Sequence, residues 1–221
     1  MKRFLFFSIN LFIGIYCFGQ ELEVCTSINT SSEQRFQGAT GFGFQYQQDM
    51  NRKYIVGFGV HYIFNNTNFY DFPWVDEPNS EIIEKINSQP QKFSIRLNVQ
   101  RLLKDNENVS LSIGPEISYN FIWGQDQGQF QNIESNILNP TWFQFSQKIN
   151  LVYYIGFGLI SKVAVKKIFI PQLSLCFTFR PEFLIGDRPK LEGGNPVFSN
   201  LLGFTEFQIG IQYRFKQKST K

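Results

Sequence analysis

Apolar and polar side chains alternate most clearly in one stretch, which reads VSLSIGPEISYNFIW from Val109 to Trp123. The odd-numbered residues are all apolar or aromatic, whereas the even-numbered ones up to Asn120 are small or polar. A period of two places these two sets on opposite faces of a β-strand. The stretch therefore predicts a strand with one apolar face and one polar face.

The same alternation recurs in seven further segments, so that eight strands are predicted. They cover residues 21–29, 39–47, 54–64, 93–100, 109–123, 149–159, 172–183 and 206–215. Short connections near 48–53, 104–108 and 162–167 alternate with longer ones at 30–38, 65–90, 124–147 and 187–201. Within the second long loop, residues 81–87 are predicted to form a turn or two of helix.

This layout is typical of bacterial outer-membrane barrels, which have an even number of strands, short periplasmic turns and longer outer loops. The predicted fold is thus all-β, an eight-stranded antiparallel up-and-down transmembrane β-barrel. The short turns and both termini are expected in the periplasm, and the long loops outside the cell.

The composition of the polar face indicates which face meets lipid. A water-facing surface is usually rich in Lys, Glu and Asp, but this face is mainly Gly, Ser, Gln and Asn, and only 18% of the chain is charged. Small polar residues suit a narrow lumen. We therefore expect the apolar face to point outward into outer-membrane lipid. The alternative is a soluble, ligand-holding barrel with its apolar face inward.

Residues 1–19 have the layout of a secretory signal, with Lys2 and Arg3 before an apolar stretch and small residues before a cut after Gly19. The predicted organisation is a signal peptide at 1–19, a barrel at 20–215 and a basic tail at 216–221. The formal charge is only +3, and cleavage would remove two positive residues. That charge is too small to indicate a nucleic-acid partner.

Cysteines and prolines test the strand layout. Cys25 and Cys176 are expected to be unpaired interior residues, because the layout places them two strands apart at different heights. Pro115 and Pro181 fall within predicted strands, as does Pro171 near the start of one. Since proline cannot donate to the ladder, a bulge is predicted at Pro115.

Three short motifs carry a resemblance to known barrels. They are Phe18-Gly19-Gln20 at the export junction, Gly114-Pro115-Glu116-Ile117-Ser118-Tyr119, and the closing Gly210-Ile211-Gln212-Tyr213-Arg214-Phe215. With them the chain resembles the OmpA transmembrane domain and OmpX, and is more similar to the PorT-like outer membrane protein β-barrel domain family of Bacteroidota. That resemblance implies a role in the envelope or in type IX secretion. The chain departs from the usual ending, because a basic tail follows Phe215.

Six charged residues are predicted to line the lumen. They are Arg96, Glu116, Arg180, Glu182, Glu206 and Arg214. An unpaired ion in a narrow lumen costs several kcal/mol, so opposite charges are expected to pair and lock the barrel shut. The alternative is a small passive channel in which these charges line an ion path.

No catalytic, cofactor or metal site is predicted. His61 is the single histidine and is assigned to the lumen. No nucleophile elbow and no metal-ligand spacing occurs in the sequence. We therefore expect a non-enzymatic protein, with a lipid-modifying enzyme that uses His61 as the alternative.

The long loops contain aromatic residues that could form a contact surface. The candidates are Phe69, Tyr70, Phe72, Trp74, Trp142 and Phe143. Because barrels carry specific functions on their loops, another envelope protein is the expected partner there.

Overall fold

The architecture was established with a computed structural model that describes residues 20–51, 53–71, 80–134, 142–186 and 201–215. Almost all of these residues lie in nine β-strands and one short 3-10 helix, η1. The strands are β1 Gln20–Ser31, β2 Ala39–Asp49, β3 Tyr54–Phe64, β4 Thr67–Asp71, β5 Ser80–Asp105, β6 Val109–Glu134, β7 Trp142–Lys166, β8 Leu173–Gly186 and β9 Leu201–Arg214, with η1 at Gln34–Phe36. None of the described residues forms a helix long and apolar enough to cross a membrane.

The strands close into a ring. All pairs are antiparallel: sequential strands pair with each other except β3 and β4, β1 pairs with β9, and β3 pairs directly with β5. The short β4 lies after β3 and pairs with the outer part of β5, so it adds no ninth strand to the ring. The predicted eight-stranded antiparallel barrel is confirmed, and its closure leaves no free edge around the barrel wall.

The two faces of the wall differ as predicted. Outward-pointing Phe58, Leu97 and Ile117 are 47%, 52% and 45% exposed, whereas their inward-pointing neighbours Arg96 and Glu116 are buried. An exterior of exposed Phe, Ile, Leu and Val around a polar interior suits a barrel surrounded by hydrocarbon.

Strands β5, β6 and β7 are far longer than predicted, at 26, 26 and 25 residues. A tilted strand crosses the bilayer core in about 9–11 residues. Their outer parts, together with β4, form what we call the extension sheet: residues 67–71, 80–90, 124–134 and 142–149.

The extension sheet corrects two predictions. Residues 81–87 are strand rather than helix, and much of the expected loops at 65–90 and 124–147 is paired β-structure. These strands were not predicted because Gln, Asn and Ser occur on both of their faces. The alternation of apolar and polar residues is therefore weak there.

Bulges lie at other places than predicted. The β5–β6 register is the same on both sides of Pro115, and the shifts lie at Leu102/Lys104 and, between β6 and β7, at Ile122/Gly124. Pro115 therefore interrupts the ladder without inserting a residue. Pro171 lies outside the strands, in the turn before β8.

The bulge at Ile122/Gly124 inserts one extra residue in β7, so the residues before it face the opposite side of the wall from the one that strict alternation predicts. Residue 122 pairs with Val152, but residue 124 pairs with Ile149. Ile149 was predicted to face lipid, yet the extra β7 residue turns it inward, where it is buried.

The turn between β7 and β8 is also displaced from its predicted position at 162–167. Strand β7 continues to Lys166, and both Lys162 and Ala164 point into the lumen. The chain reverses after Lys167, which has a φ of 59°.

The two cysteines of the described ranges are free, and they lie at the same height, in contrast to the prediction. Cys25 and Cys176 are both opposite Gly210, one on each side of β9. Two strand spacings separate their Cα atoms by about 10 Å, which is beyond the reach of a disulfide.

Candidate functional site

Five of the six predicted lumen charges meet in the middle of the barrel. Arg96 Nη2 lies 2.6 Å from Glu206 Oε2, and it also approaches Glu182 at 4.0 Å. Arg180 forms an ion pair with Glu116. All five side chains are buried, so each charge depends on its partners rather than on water.

Lys92 joins this network although it was not predicted. Its Nζ lies 3.0 Å from Glu182 Oε2 and 4.0 Å from the centre of the Phe204 ring, and the side chain is fully buried. Lys92, Ser94 and Arg96 are alternate residues of one strand, and all three face the lumen. Lys92 was missed because it precedes the predicted strand start by one residue. Extending the predicted strand backward would have found it.

Arg214 lies apart from the other five. It belongs to the turn end of the barrel, where Nε bonds to Glu21 Oε1 at 2.6 Å and the side chain is 47% exposed. A second inward ion pair lies nearby, with Lys162 Nζ 2.7 Å from Glu23 Oε2. Lys162 was missed because it was assigned to a turn.

His61 lies in the central network, in contact with both a serine and a carboxylate. Its Nε2 is 3.0 Å from Glu206 Oε1 and 3.4 Å from Ser27 Oγ. A nucleophilic triad needs the acid and the serine on opposite ring nitrogens, whereas here both are at Nε2 and Nδ1 has no partner among the described residues. The contacts match a buried polar network rather than a proton relay.

Uncharged polar side chains fill the space between the ions. Asn98 Nδ2 donates to Glu116 at 3.3 Å and Gln100 Nε2 donates to Asn98 at 2.8 Å, while Ser112 donates to Gln100 at 2.6 Å. A cavity lined by His61, Arg96 and Arg180 has a volume of only about 10 Å³, which is room for about one water molecule. The middle of the lumen is therefore packed.

Glycines make room for these side chains. A Cβ built on Gly156 would lie 2.2 Å from both Glu182 Oε1 and Ser118 Oγ. Any other residue at this position would displace these two side-chain ends from their present contact.

An apolar layer closes the loop end of the lumen, and we call it the apolar cap. Its members are Phe36, Ala39, Ile63, Ile122, Ile149, Val152, Tyr154, Leu184, Leu202 and Phe204. Phe36 comes from η1, outside the barrel wall, and its ring centre lies 5.2 Å from that of Phe204. The β1–β2 connection thus folds over the end of the barrel.

Ion pairs hold η1 in place over the cap. Arg35 Nη1 lies 2.8 Å from Glu33 Oε1, and Arg35 Nη2 lies 3.1 Å from Asp126 Oδ2. Burial lowers the pKa of Arg35, but the two carboxylates more than offset it, so that the pKa lies above its ordinary value. Arg35 therefore stays charged.

The predicted aromatic contact residues are only partly described. Phe69 and Tyr70 lie in β4, opposite Ile86 and Lys85, and Trp142 begins β7 opposite Gln131. Phe143 is 52% exposed. Phe72 and Trp74 lie outside the described residues.

No group of His, Cys, Asp or Glu among the residues of the described ranges could hold a metal ion.

Comparison with known proteins identifies the fold. No family model and no curated protein matches the sequence. A major outer membrane protein from Thermus thermophilus is similar in structure, with a TM-score of 0.50 and 12% identity over 89% of this chain and 99% of that one. Neisserial surface protein A has a TM-score of 0.47 and 14% identity, over 90% of this chain and 97% of that one. Ail of Yersinia pestis has a TM-score of 0.42 and 13% identity, over 90% of this chain and 99% of that one. At these identities the likeness concerns the fold alone.

Proposed function

We propose that the protein is a non-enzymatic outer-membrane β-barrel that acts through the surface it presents outside the membrane. The observation that carries this proposal is the closed lumen, with a charge network in its middle and the apolar cap at its loop end. A filled interior supports neither a wide solute path nor an accessible active site. Among the described residues, the extension sheet is then a surface left for a specific function.

The membrane location rests on the outward apolar face. Exposed Phe, Ile, Leu and Val side chains surround the wall, and such a surface would aggregate in water. Closed antiparallel barrels with an apolar exterior of this kind are typical of the bacterial outer membrane.

The proposed partner is another envelope protein. The extension sheet exposes Gln127 and Gln144 on one face and Phe143 on the other. Exposed aromatic side chains are enriched at protein interfaces, and polar ones are common at their rims. Association with a secretion assembly follows only from the motif resemblance to PorT-like barrels.

Site-specific photocrosslinking in intact membranes tests this proposal. A photoreactive residue at Gln127 or Gln144 is expected to form a discrete adduct with a second protein. The matched control is Leu151, which is exposed on the barrel wall and should label lipid instead. Lipid adducts alone from the sheet positions, or protein adducts only from Leu151, would contradict the proposal.

A further inference from the structure

The outward face of β5 changes from apolar to polar at both ends of the barrel wall. Its outward residues from Phe93 to Val99 are apolar, and polar side chains follow at Gln91 on the loop side and at Arg101 on the turn side. The ten positions that separate Gln91 from Arg101 rise about 34 Å along the strand, or about 26 Å along the bilayer normal at a tilt of about 40°. The apolar band of a transmembrane barrel is about 25 Å tall. Arg101 therefore lies where hydrocarbon gives way to lipid headgroups.

A bulge turns a second cation to the same outward side. Leu103 is the extra residue in the register shift at the end of β5. Arg101 is opposite Ile113 of β6, and Lys104 is opposite the next outward residue of that strand. Without the extra residue, Lys104 would point into the lumen. The bulge thus places the two cations in successive outward positions, about 7 Å apart along the wall.

Neither cation is neutralised by a carboxylate of the described ranges. Both side chains are exposed, and no described carboxylate forms an ion pair with either. Asp105 follows Lys104 but lines the lumen side, where Lys166 pairs with it. Glu107 is engaged by Lys167 at 3.3 Å. Two outward cations without an acid favour an anion, and they offer nothing to the ammonium group of a zwitterionic headgroup.

Two cations at the headgroup level have the chemistry of a phosphate site. We propose that Arg101 and Lys104 bind the phosphate of an anionic phospholipid whose acyl chains lie against the apolar wall. The planar guanidinium matches phosphate oxygens with two parallel donors, and the lysine adds a second positive charge. Short turns lie at the periplasmic end in barrels of this kind, so the lipid belongs to the periplasmic leaflet. This inference rests on the proposed membrane location and not on the protein partner proposed for the extension sheet.

Two residues of β3 and its preceding turn flank the site. Tyr54 is directly opposite Arg101 and is 41% exposed, which places their Cβ atoms about 5 Å apart. Tyrosine suits this level of a bilayer, because its ring is apolar and its hydroxyl is polar. The Leu102 N–H donates to Lys53 O at 2.7 Å, so the turn that contains the exposed Lys53 is held beside the bulge. A third positive charge therefore lies next to the site.

Photocrosslinking in vesicles of defined composition tests the inference. A photoreactive residue at Tyr54 samples the lipid beside Arg101 when the purified protein is folded into equal parts of phosphatidylglycerol and phosphatidylcholine. Adducts should favour phosphatidylglycerol about fivefold or more, because each cation at the surface attracts anionic lipid. Arg101→Gln combined with Lys104→Gln should bring the ratio close to one. Equal labelling of both lipids by the protein with both cations present would overturn the proposal.

Two further variants separate a specific site from a general effect of charge. Lys166→Gln with Lys167→Gln also removes two positive charges from the turn end, but from lysines that carboxylates already engage, and it should keep the preference. Arg101→Lys with Lys104→Arg keeps both charges and should keep most of the preference. A loss in the Lys166 and Lys167 variant as large as in the Arg101 and Lys104 variant would overturn the site. Adducts with neither lipid would overturn the membrane location, and this inference with it.

Discussion

The middle of the lumen and the apolar cap close the same barrel by different physics. In the middle, Arg96, Arg180 and Lys92 are matched by three buried glutamates. At the cap, Phe36 and Phe204 are packed among aliphatic side chains. The network depends on every charge having a partner, whereas the cap depends on filled volume. The two regions should therefore fail in different ways when a residue is removed.

The largest effect is expected for Glu206→Ala. This change leaves Arg96 without its 2.6 Å partner and removes the contact of His61. Removing one partner of a buried ion pair costs about 3–5 kcal/mol, so the free energy of unfolding in lipid, measured by urea titration, should fall by that amount.

The double variant Arg96→Met with Glu206→Leu sharpens this test. Replacing both partners by apolar residues of similar volume is often neutral, so most of the lost stability should return. If the double variant is as unstable as the single one, the network stabilises the barrel by something other than charge pairing.

A smaller effect is expected for Phe36→Ala in the apolar cap. Its side chain is fully buried. Truncating a buried phenylalanine costs about 3–5 kcal/mol, and the low end is expected here because η1 lies outside the barrel wall and can relax around the gap. Phe36→Leu restores most of the volume and should recover most of the stability, as a packing role requires. Equal loss in both variants would show that the ring itself is needed.

The smallest effect is expected in conductance. The wild-type protein in a planar bilayer should show no steady current, and Phe36→Ala should also show none, since the charge network still fills the lumen. A stable open state in Phe36→Ala alone would mean that the cap is the true seal. A current in the wild type would favour the passive channel instead.

The strands of the barrel wall were predictable because lipid and lumen impose opposite chemistry on alternate residues. Val109 to Phe121 shows this pattern over thirteen positions, and β6 contains them all. The extension sheet was not predictable, because Gln, Asn and Ser occur on both of its faces and weaken the alternation.

The sequence predicted that charged residues line the lumen, but it did not identify all the residues that face it. Arg96 and Glu116 could be found because they lie within clear alternation, whereas Lys162 was taken for a turn residue beside Lys166 and Lys167. Ile149 was misplaced because a one-residue bulge is invisible in composition. Phe36 lies outside the strands, and nothing in its neighbours indicates that it packs against Phe204.

The continuity of β5 has a mechanical consequence. One unbroken strand runs from Ser80 in the extension sheet, through Lys92 and Arg96, to Asp105 at the turn end. Ladder hydrogen bonds in antiparallel sheets lie across the strand direction. A pull on the outer tip of β5 therefore loads many bonds in shear at once instead of unzipping them singly, and carries the tension directly into the ion network of the lumen.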